Sequence, residues 1–277
     1  MTAITLYNGD CLEVMRDISA CSVDLIICDL PYGCLTGGAG KEKNSRIKRA
    51  LVRYENGQAT EKTAIYNGGV MAGCPWDVKI DLEAFWREVK RIRRSPSTPC
   101  IHFCTTKFGY ELIQSNPTEF RYDLVWDKQR GVSFLSANKM PMRSHEMIYV
   151  FSKVGAYYSR KDISGNFPEG GGGGRKNANV YGTVGEKHVT PAGRRCPLSI
   201  ISTAPGSKRA GQHPTEKPEE LYRWLIERYC PPGGTVLDPT FGSGNSVFTA
   251  IALGRSAIGI EKDEGFFKKA EERLESS

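Results

Sequence analysis

Apolar positions along the chain fall into short runs and helical stripes, interrupted by two long polar stretches. Ile4, Thr5, Leu6 and Tyr7 alternate as a strand does, and a short helix is expected from Leu12 to Ile18. Val23-Asp24-Leu25-Ile26-Ile27-Cys28 reads as a buried strand that stops at Asp29-Leu30-Pro31-Tyr32-Gly33. Leu82, Phe85, Val89 and Ile92 recur at helical spacing, Pro99 to Cys104 reads as another buried strand, and a helix is expected over Lys107 to Gln114. Phe120 to Trp126 and Met147 to Phe151 are further strands. Beyond Pro218 a helix with Leu221, Leu225 and Ile226 on one face runs to Tyr229. Then come the strand Thr235-Val236-Leu237, a helix from Ser246 to Leu253, the strand Ala257 to Ile260, and a helix carrying Phe266, Phe267, Ala270 and Leu274. Strands alternating with helices predict an α/β fold, a mostly parallel sheet with helices on both faces.

The two polar stretches carry the charge. Residues 36–70 hold a net +4 and residues 152–212 a net +7, which leaves the rest of the chain at −4 out of a total of +7. The first is expected to be a long mobile basic loop. The second has five glycines, Gly170 to Gly174, followed by Arg175-Lys176 and later Arg194-Arg195, and reads as an extended basic insertion. Clustered positive charge is the footprint of a polyanion partner such as nucleic acid; solvated surface loops are the alternative.

Composition, with 39% hydrophobic and 25% charged residues, is that of an ordinary globular protein, and no apolar run approaches the roughly 20 residues of a membrane span. Met1 to Thr5 show no basic or apolar leader pattern, so no signal peptide is expected. Nine scattered cysteines, several inside apolar runs, suit reduced thiols in a cytoplasmic protein. No metal site is expected: there is no Cys-x-x-Cys pair, and His145-Glu146 has Tyr149 where a zinc motif needs its second histidine. Pro99-Cys100 opens a buried strand, and Cys100 and Cys104 share a face suited to packing.

The chemistry starts with Asp238-Pro239-Thr240-Phe241-Gly242-Ser243-Gly244-Asn245. Strand, glycine turn, helix, strand and terminal acid make a βαβ unit for an adenosine-containing ligand. Glu261 follows Gly244 by 17 residues and could accept hydrogen bonds from ribose hydroxyls. A third glycine is missing, Val247 standing in its place, and Asp238 would repel a pyrophosphate. A ligand with ammonium, ribose and adenine but no phosphate is S-adenosylmethionine. The alternative is a purely structural glycine turn. Asp29 to Tyr32 likewise reads either as a catalytic strand end or as a plain strand-to-loop exit.

Three motifs together resemble one family. Asp29-Leu30-Pro31-Tyr32 is similar to the catalytic motif of amino-group DNA methyltransferases, Asp238 to Gly244 to their methionine-binding loop, and His213-Pro214-Thr215-Glu216-Lys217-Pro218 to their third signature. The order, catalytic motif first with a basic insertion between, resembles the circularly permuted β-class, phage- or bacterial-type. Trp76-Asp77, Trp126-Asp127-Lys128 and Arg143-Ser144-His145-Glu146 resemble spaced features of its phage-type members. The resemblance implies a Rossmann-like S-adenosylmethionine-dependent methyltransferase fold. In it 1–151 form the catalytic part, 152–212 the target-recognition insertion and 213–277 the cofactor-binding part. It implies a site-specific DNA adenine-N6 methyltransferase that flips its target base. An acid at the first catalytic position leans towards adenine, where serine is typical of cytosine-N4 enzymes; a cytosine-N4 methyltransferase or an inactive DNA-binding relative are the alternatives. A nicotinamide dehydrogenase would leave Asp29 to Tyr32 unexplained.

By the same resemblance, Asp29, Leu30, Pro31 and Tyr32 are catalytic. Asp10, Cys11, Asp29, His213, Thr215, Lys217, Asp238, Phe241, Gly242, Ser243, Gly244, Asn245 and Glu261 hold the cofactor. Lys41, Lys43, Arg46, Lys48, Arg49, Arg175, Lys176, Arg194 and Arg195 are the candidate DNA contacts. Leu30 replaces a usual proline, and Asn245-Ser246 a common threonine pair. DNA is the implied partner, with no membrane; a homodimer and a cognate restriction enzyme are further candidates. A cytoplasmic setting, nucleoid-associated or phage-encoded, follows.

Overall fold

The computed structural model describes residues 2–32, 79–132, 137–171, 189–204 and 216–275, with the strand backbone of 49–55 and 58–64. They form two compact units. One runs from the N-terminus to Asp29 and again from Leu82 onward, and the other is Leu30–Asp81.

The chain begins with β1 (Ile4–Asn8), α1 (Cys11–Asp17) and β2 (Leu25–Cys28). The second unit contains β3 (Arg49–Glu55) and β4 (Gln58–Ala64), which pair antiparallel from Arg49↔Ala64 to Glu55↔Gln58. Two paired strands thus lie within 36–70, where a long loop was expected; the few apolar residues of β4 hid their pattern.

The first unit continues with α2 (Leu82–Ile92), β5 (Cys100–Cys104), α3 (Thr106–Ser115), β6 (Phe120–Val132) and β7 (Arg143–Phe151). Four two-residue strands follow, β8 (Ile163–Ser164), β9 (Gly170–Gly171), β10 (Val189–Thr190) and β11 (Arg194–Arg195), then β12 (Ile200–Ser202). The chain goes on through α4 (Glu219–Tyr229), β13 (Thr235–Asp238), α5 (Asn245–Ala252), β14 (Ser256–Glu261) and α6 (Glu264–Glu275).

Eight strands make one sheet in the order β1-β14-β13-β2-β5-β7-β6-β12. All neighbours are parallel except β7, which runs against both β5 and β6. The sequence pattern predicted the parallel core but neither the reversed β7 nor β12. The latter belongs to the basic insertion, yet Ile201 is buried and Trp126 Nε1 donates to the Thr203 carbonyl at 3.0 Å.

Strand alternation divides the core in two. Leu25 and Ile27, Ile101 and Phe103, Ile148 and Val150, and Val236 share a cluster with Leu221, Leu225 and Ile226 of α4 and Val247 and Ala250 of α5. The intervening positions meet α2, where Phe85 and Trp86 lie 5.5 and 5.2 Å from the His102 ring and Trp86 lies 4.9 Å from Phe151. Cys28, Cys100 and His102 sit together on that face, with Cys100 Sγ 3.3 Å from His102 Nε2. Burial pushes the Cys28 thiol well up. Cys100 and Cys104 are both buried in β5.

Candidate active site

Parallel pairing brings the ends of β1, β14, β13, β2 and β5 to one edge of the sheet, and the reversed β7 starts there. Between β13 and β2 the strand order reverses, a crevice where α/β sheets bind ligands. The register Leu237↔Ile26 puts Asp238 and Asp29 on adjoining strand ends. Four acids of the site continue rows of core side chains at period two: Asp29 after Leu25 and Ile27, Asp238 after Val236, Glu261 in line with Ala257, and Glu146 ahead of Ile148 and Val150. The rows that bury the sheet against α4 and α5 therefore also aim the acids to that side.

Asp238 is buried, its Oδ1 accepting the Thr240 N–H at 2.9 Å and its Oδ2 the Ser246 hydroxyl. Burial pushes its carboxyl up to about 7, and the charges of Asp29 and Glu261 add to the rise against those two hydrogen bonds. Burial likewise raises Glu261, whose Oε2 accepts the Gly242 N–H at 2.9 Å and Oε1 the Asp263 N–H at 2.7 Å. Three neighbouring acids in a poorly solvated crevice suit a cationic ligand. Phe241 is buried beside them, its N–H bonded to the Ile260 carbonyl at 3.1 Å, and Ser243 is half-buried. Gly244 is the N-cap of α5 at φ +83°, where a Cβ would also come within 2.7 Å of the Phe248 ring. Only glycine takes that conformation without strain.

At the next strand end, Asp10 Oδ1 caps α1 by accepting the Leu12 N–H at 3.0 Å, and its Oδ2 pairs with Lys262 at 3.1 Å. Cys11 follows, its thiol pushed up to about 12 by burial and by Asp10. Asn245 is turned to its own chain. Its Nδ2 donates to Glu216 Oε1 at 2.6 Å and to the Lys217 carbonyl at 3.0 Å, while its Oδ1 accepts from Arg273 at 2.9 Å.

Asp29 meets a buried cation. Lys217 Nζ lies 2.6 Å from Asp29 Oδ2, 3.3 Å from Glu146 Oε2 and 5.2 Å from the centre of the Phe103 ring. Glu146 Oε1 in turn pairs with Lys128. Burial alone would favour a neutral Lys217 amine, but Asp29 and Glu146 outweigh it and hold the ammonium above its ordinary pKa. Burial opposes the Glu146 charge too, and Lys217 and Lys128 overcome it and keep the carboxyl below the usual range. The four side chains alternate in sign, which is how buried charge is tolerated.

Of the expected site residues, Asp10, Cys11, Asp29, Lys217, Asp238, Phe241 to Asn245 and Glu261 all lie along this edge or on the elements leaving it. Leu30, buried, and the half-buried Pro31 and Tyr32 follow Asp29 directly in the chain. His213, Thr215, Lys41, Lys43, Arg46, Lys48, Arg175 and Lys176 lie outside the described residues, and Arg49 is described only by its backbone in β3. Arg194 and Arg195 are exposed on β11, paired with Ser164 and Ile163 of β8, and Arg195 stacks on the Phe167 ring at 4.9 Å. Lys128 and Glu146 were visible only as parts of spaced motifs, with nothing to tie them to Asp29.

A mostly parallel sheet with a glycine turn and acids at its switch point defines a Rossmann-like methyltransferase. The DNA methylase family of N6 and N4 methyltransferases matches residues 23–272, and the chain belongs to it. It is thus a DNA methyltransferase acting on exocyclic amino groups, with S-adenosylmethionine as the methyl donor of its family. Among its relatives, the type II methyltransferase M2.LlaDCHI of Lactococcus lactis subsp. cremoris is 39% identical over 97% of this chain and 88% of its own length. The type II methyltransferase M.HinfI of Haemophilus influenzae is 26% identical over 98% of this chain and 68% of its own. The fold is shared with the crystal structure of the M1.HpyAVI–SAM complex (TM-score 0.56, 19% identity, 98% of both chains). It is shared also with the PvuII cytosine-N4-specific DNA methyltransferase (TM-score 0.62, 14% identity, 99% of this chain and 87% of that one).

Proposed function

We propose that this chain methylates the N6 amino nitrogen of adenine at specific sites in DNA, acting on a base flipped out of the duplex. The observation that carries the reading is the Leu237↔Ile26 register, which sets the Asp238 glycine turn beside the Asp29 strand end. S-adenosylmethionine supplies an electrophilic methyl group. Asp238 and the Phe241 to Asn245 backbone hold its methionine part, Glu261 its ribose, and Asp10 and Cys11 lie at the adenine end. Thr215, Lys217 and His213 belong to the methionine end by their motif.

An exocyclic amino nitrogen is a poor nucleophile because its lone pair is delocalised into the ring. Asp29 and the backbone carbonyl of Leu30 or Pro31 accept its two N–H bonds, draw the nitrogen towards tetrahedral geometry and aim its lone pair at the methyl. Transfer is direct and in line, so catalysis rests on positioning and electrostatics. The nitrogen then sheds one proton, for which Asp29 is an acceptor. Tyr32 stacks on the flipped base by its place in the motif. An acid rather than serine at the first position supports adenine over cytosine.

The basic segments supply DNA contacts, with 152–212 as the recognition insertion between the two parts of the methyltransferase domain, 1–151 and 213–277. Lys41, Lys43, Arg46, Lys48, Arg49, Arg175, Lys176, Arg194 and Arg195 position phosphates. A homodimer and a cognate restriction enzyme are further candidates of this reading. Asp29→Ala is expected to abolish methyl transfer and keep cofactor binding by calorimetry. Retained turnover would remove Asp29 from the mechanism.

A further inference from the structure

The three signatures Trp126-Asp127-Lys128, Arg143-Ser144-His145-Glu146 and Thr215-Glu216-Lys217 are separate in the chain, yet Lys128 and Lys217 both pair with Glu146, and Lys217 also pairs with Asp29. Lys217 Nζ is shared between Asp29 Oδ2 at 2.6 Å and Glu146 Oε2 at 3.3 Å, and only the first contact has hydrogen-bond geometry. Glu146 Oε2 is buried without a hydrogen bond, although Lys128 occupies Oε1. A buried carboxylate oxygen lacking a hydrogen bond carries a desolvation cost, which a small shift of the Lys217 ammonium would relieve.

Lys128 sits where the β6–β7 ladder is irregular, between Asp127 and Val132, with Gln129 at φ +56°. Such irregularities re-aim side chains beside active sites. Here the Lys128 ammonium lies 5.1 Å from the Trp126 ring centre and pairs with Glu146. Glu146 is therefore held from one side and presents its remaining oxygen to Lys217 from the other. Arrival of a target amino group at Asp29 introduces N–H donors that compete with Lys217 for the same carboxylate.

We propose that Glu146 is a positioning residue for methyl transfer: it draws the Lys217 ammonium from Asp29 Oδ2 when the target amino group arrives, so that Asp29 can accept the amino N–H. The proposal rests on the assignment of Asp29 to the transfer step. No bond is made or broken in the hand-over; one ammonium changes its hydrogen-bond acceptor. Glu146 itself touches neither base nor cofactor.

Steady-state kinetics of the full chain on duplex DNA test this. Glu146→Gln weakens the pull on the ammonium and is expected to lower kcat about tenfold while both KM values stay within about twofold. In a Lys217→Met background the same change is expected to cost less than about twofold, because the group it acts through is gone. Glu146→Asp, which retains the charge, should recover most of kcat, and it carries the test if the Gln variant does not fold. A Glu146→Gln kcat near wild type, a loss confined to KM, or an equal loss in the Lys217→Met background would overturn the proposal. Asp29→Ala separates the two levels: an active variant removes the underlying assignment, whereas an inactive one alongside an unaffected Glu146→Gln removes this inference alone.

Discussion

Asn245 Nδ2 donates to the Lys217 carbonyl at 3.0 Å, fastening the first residue of α5 to the segment whose ammonium reaches Asp29. The helix leaving the glycine turn thus also places the cation that pairs with Asp29. Arg273 locks the same amide from α6 and reaches Glu219 of α4 at 2.7 Å.

Asn245→Ala removes the shared anchor and leaves the Lys217 carbonyl and Glu216 short of a donor. The expected loss is about 1–3 kcal/mol of stability, read by chemical denaturation, as for buried polar groups that lose a partner. Cofactor affinity should change little, since this amide is committed to its own chain. A large drop in affinity with stability intact would place Asn245 on the cofactor instead.

Asp238 makes cofactor-free stability depend on pH. Its folded pKa of about 7 lies above the ordinary 3.8, so the folded protein keeps a proton that the unfolded chain releases between those values. Stability from this group therefore falls as pH rises through that window and levels off above it. Asp238→Asn is expected to flatten the denaturation midpoint between about pH 4 and about pH 7. An unchanged slope would mean the carboxyl is not held protonated.

Arg194 and Arg195 are the proposed DNA contacts whose side chains are described. Replacing both by alanine is expected to lower the slope of log K against log salt by about 0.9 for each phosphate that is no longer neutralised. Filter binding at several salt concentrations reads this. An unaltered slope would remove β11 from the interface.

Local pattern carried the site further than it carried the sheet. Leu25 to Cys28 and Thr235 to Leu237 were legible as strands because short apolar runs end at acids, prolines and glycines, and those ends adjoin at one edge of the sheet. Glu261 was legible from its spacing after the glycine turn. The pairing of Lys217 with Asp29 was not, because the two are 188 residues apart and meet only through strand order and register. Glu146 was hidden for a related reason: nothing local says that β7 runs antiparallel and so starts, rather than ends, at the site edge. The apolar run Met147 to Phe151 also concealed that the strand begins at Arg143. Two-residue strands such as β8 and β11 leave no periodicity to read.

The central claim is methyl transfer to adenine N6, and nucleoside mass spectrometry tests it most directly. The protein is incubated with unmethylated duplex DNA and isotopically labelled S-adenosylmethionine, and the DNA is digested to nucleosides. The account predicts label in N6-methyladenine, absent with Asp29→Ala. Label in N4-methylcytosine alone, or no label in DNA from a folded, cofactor-binding protein, would contradict it.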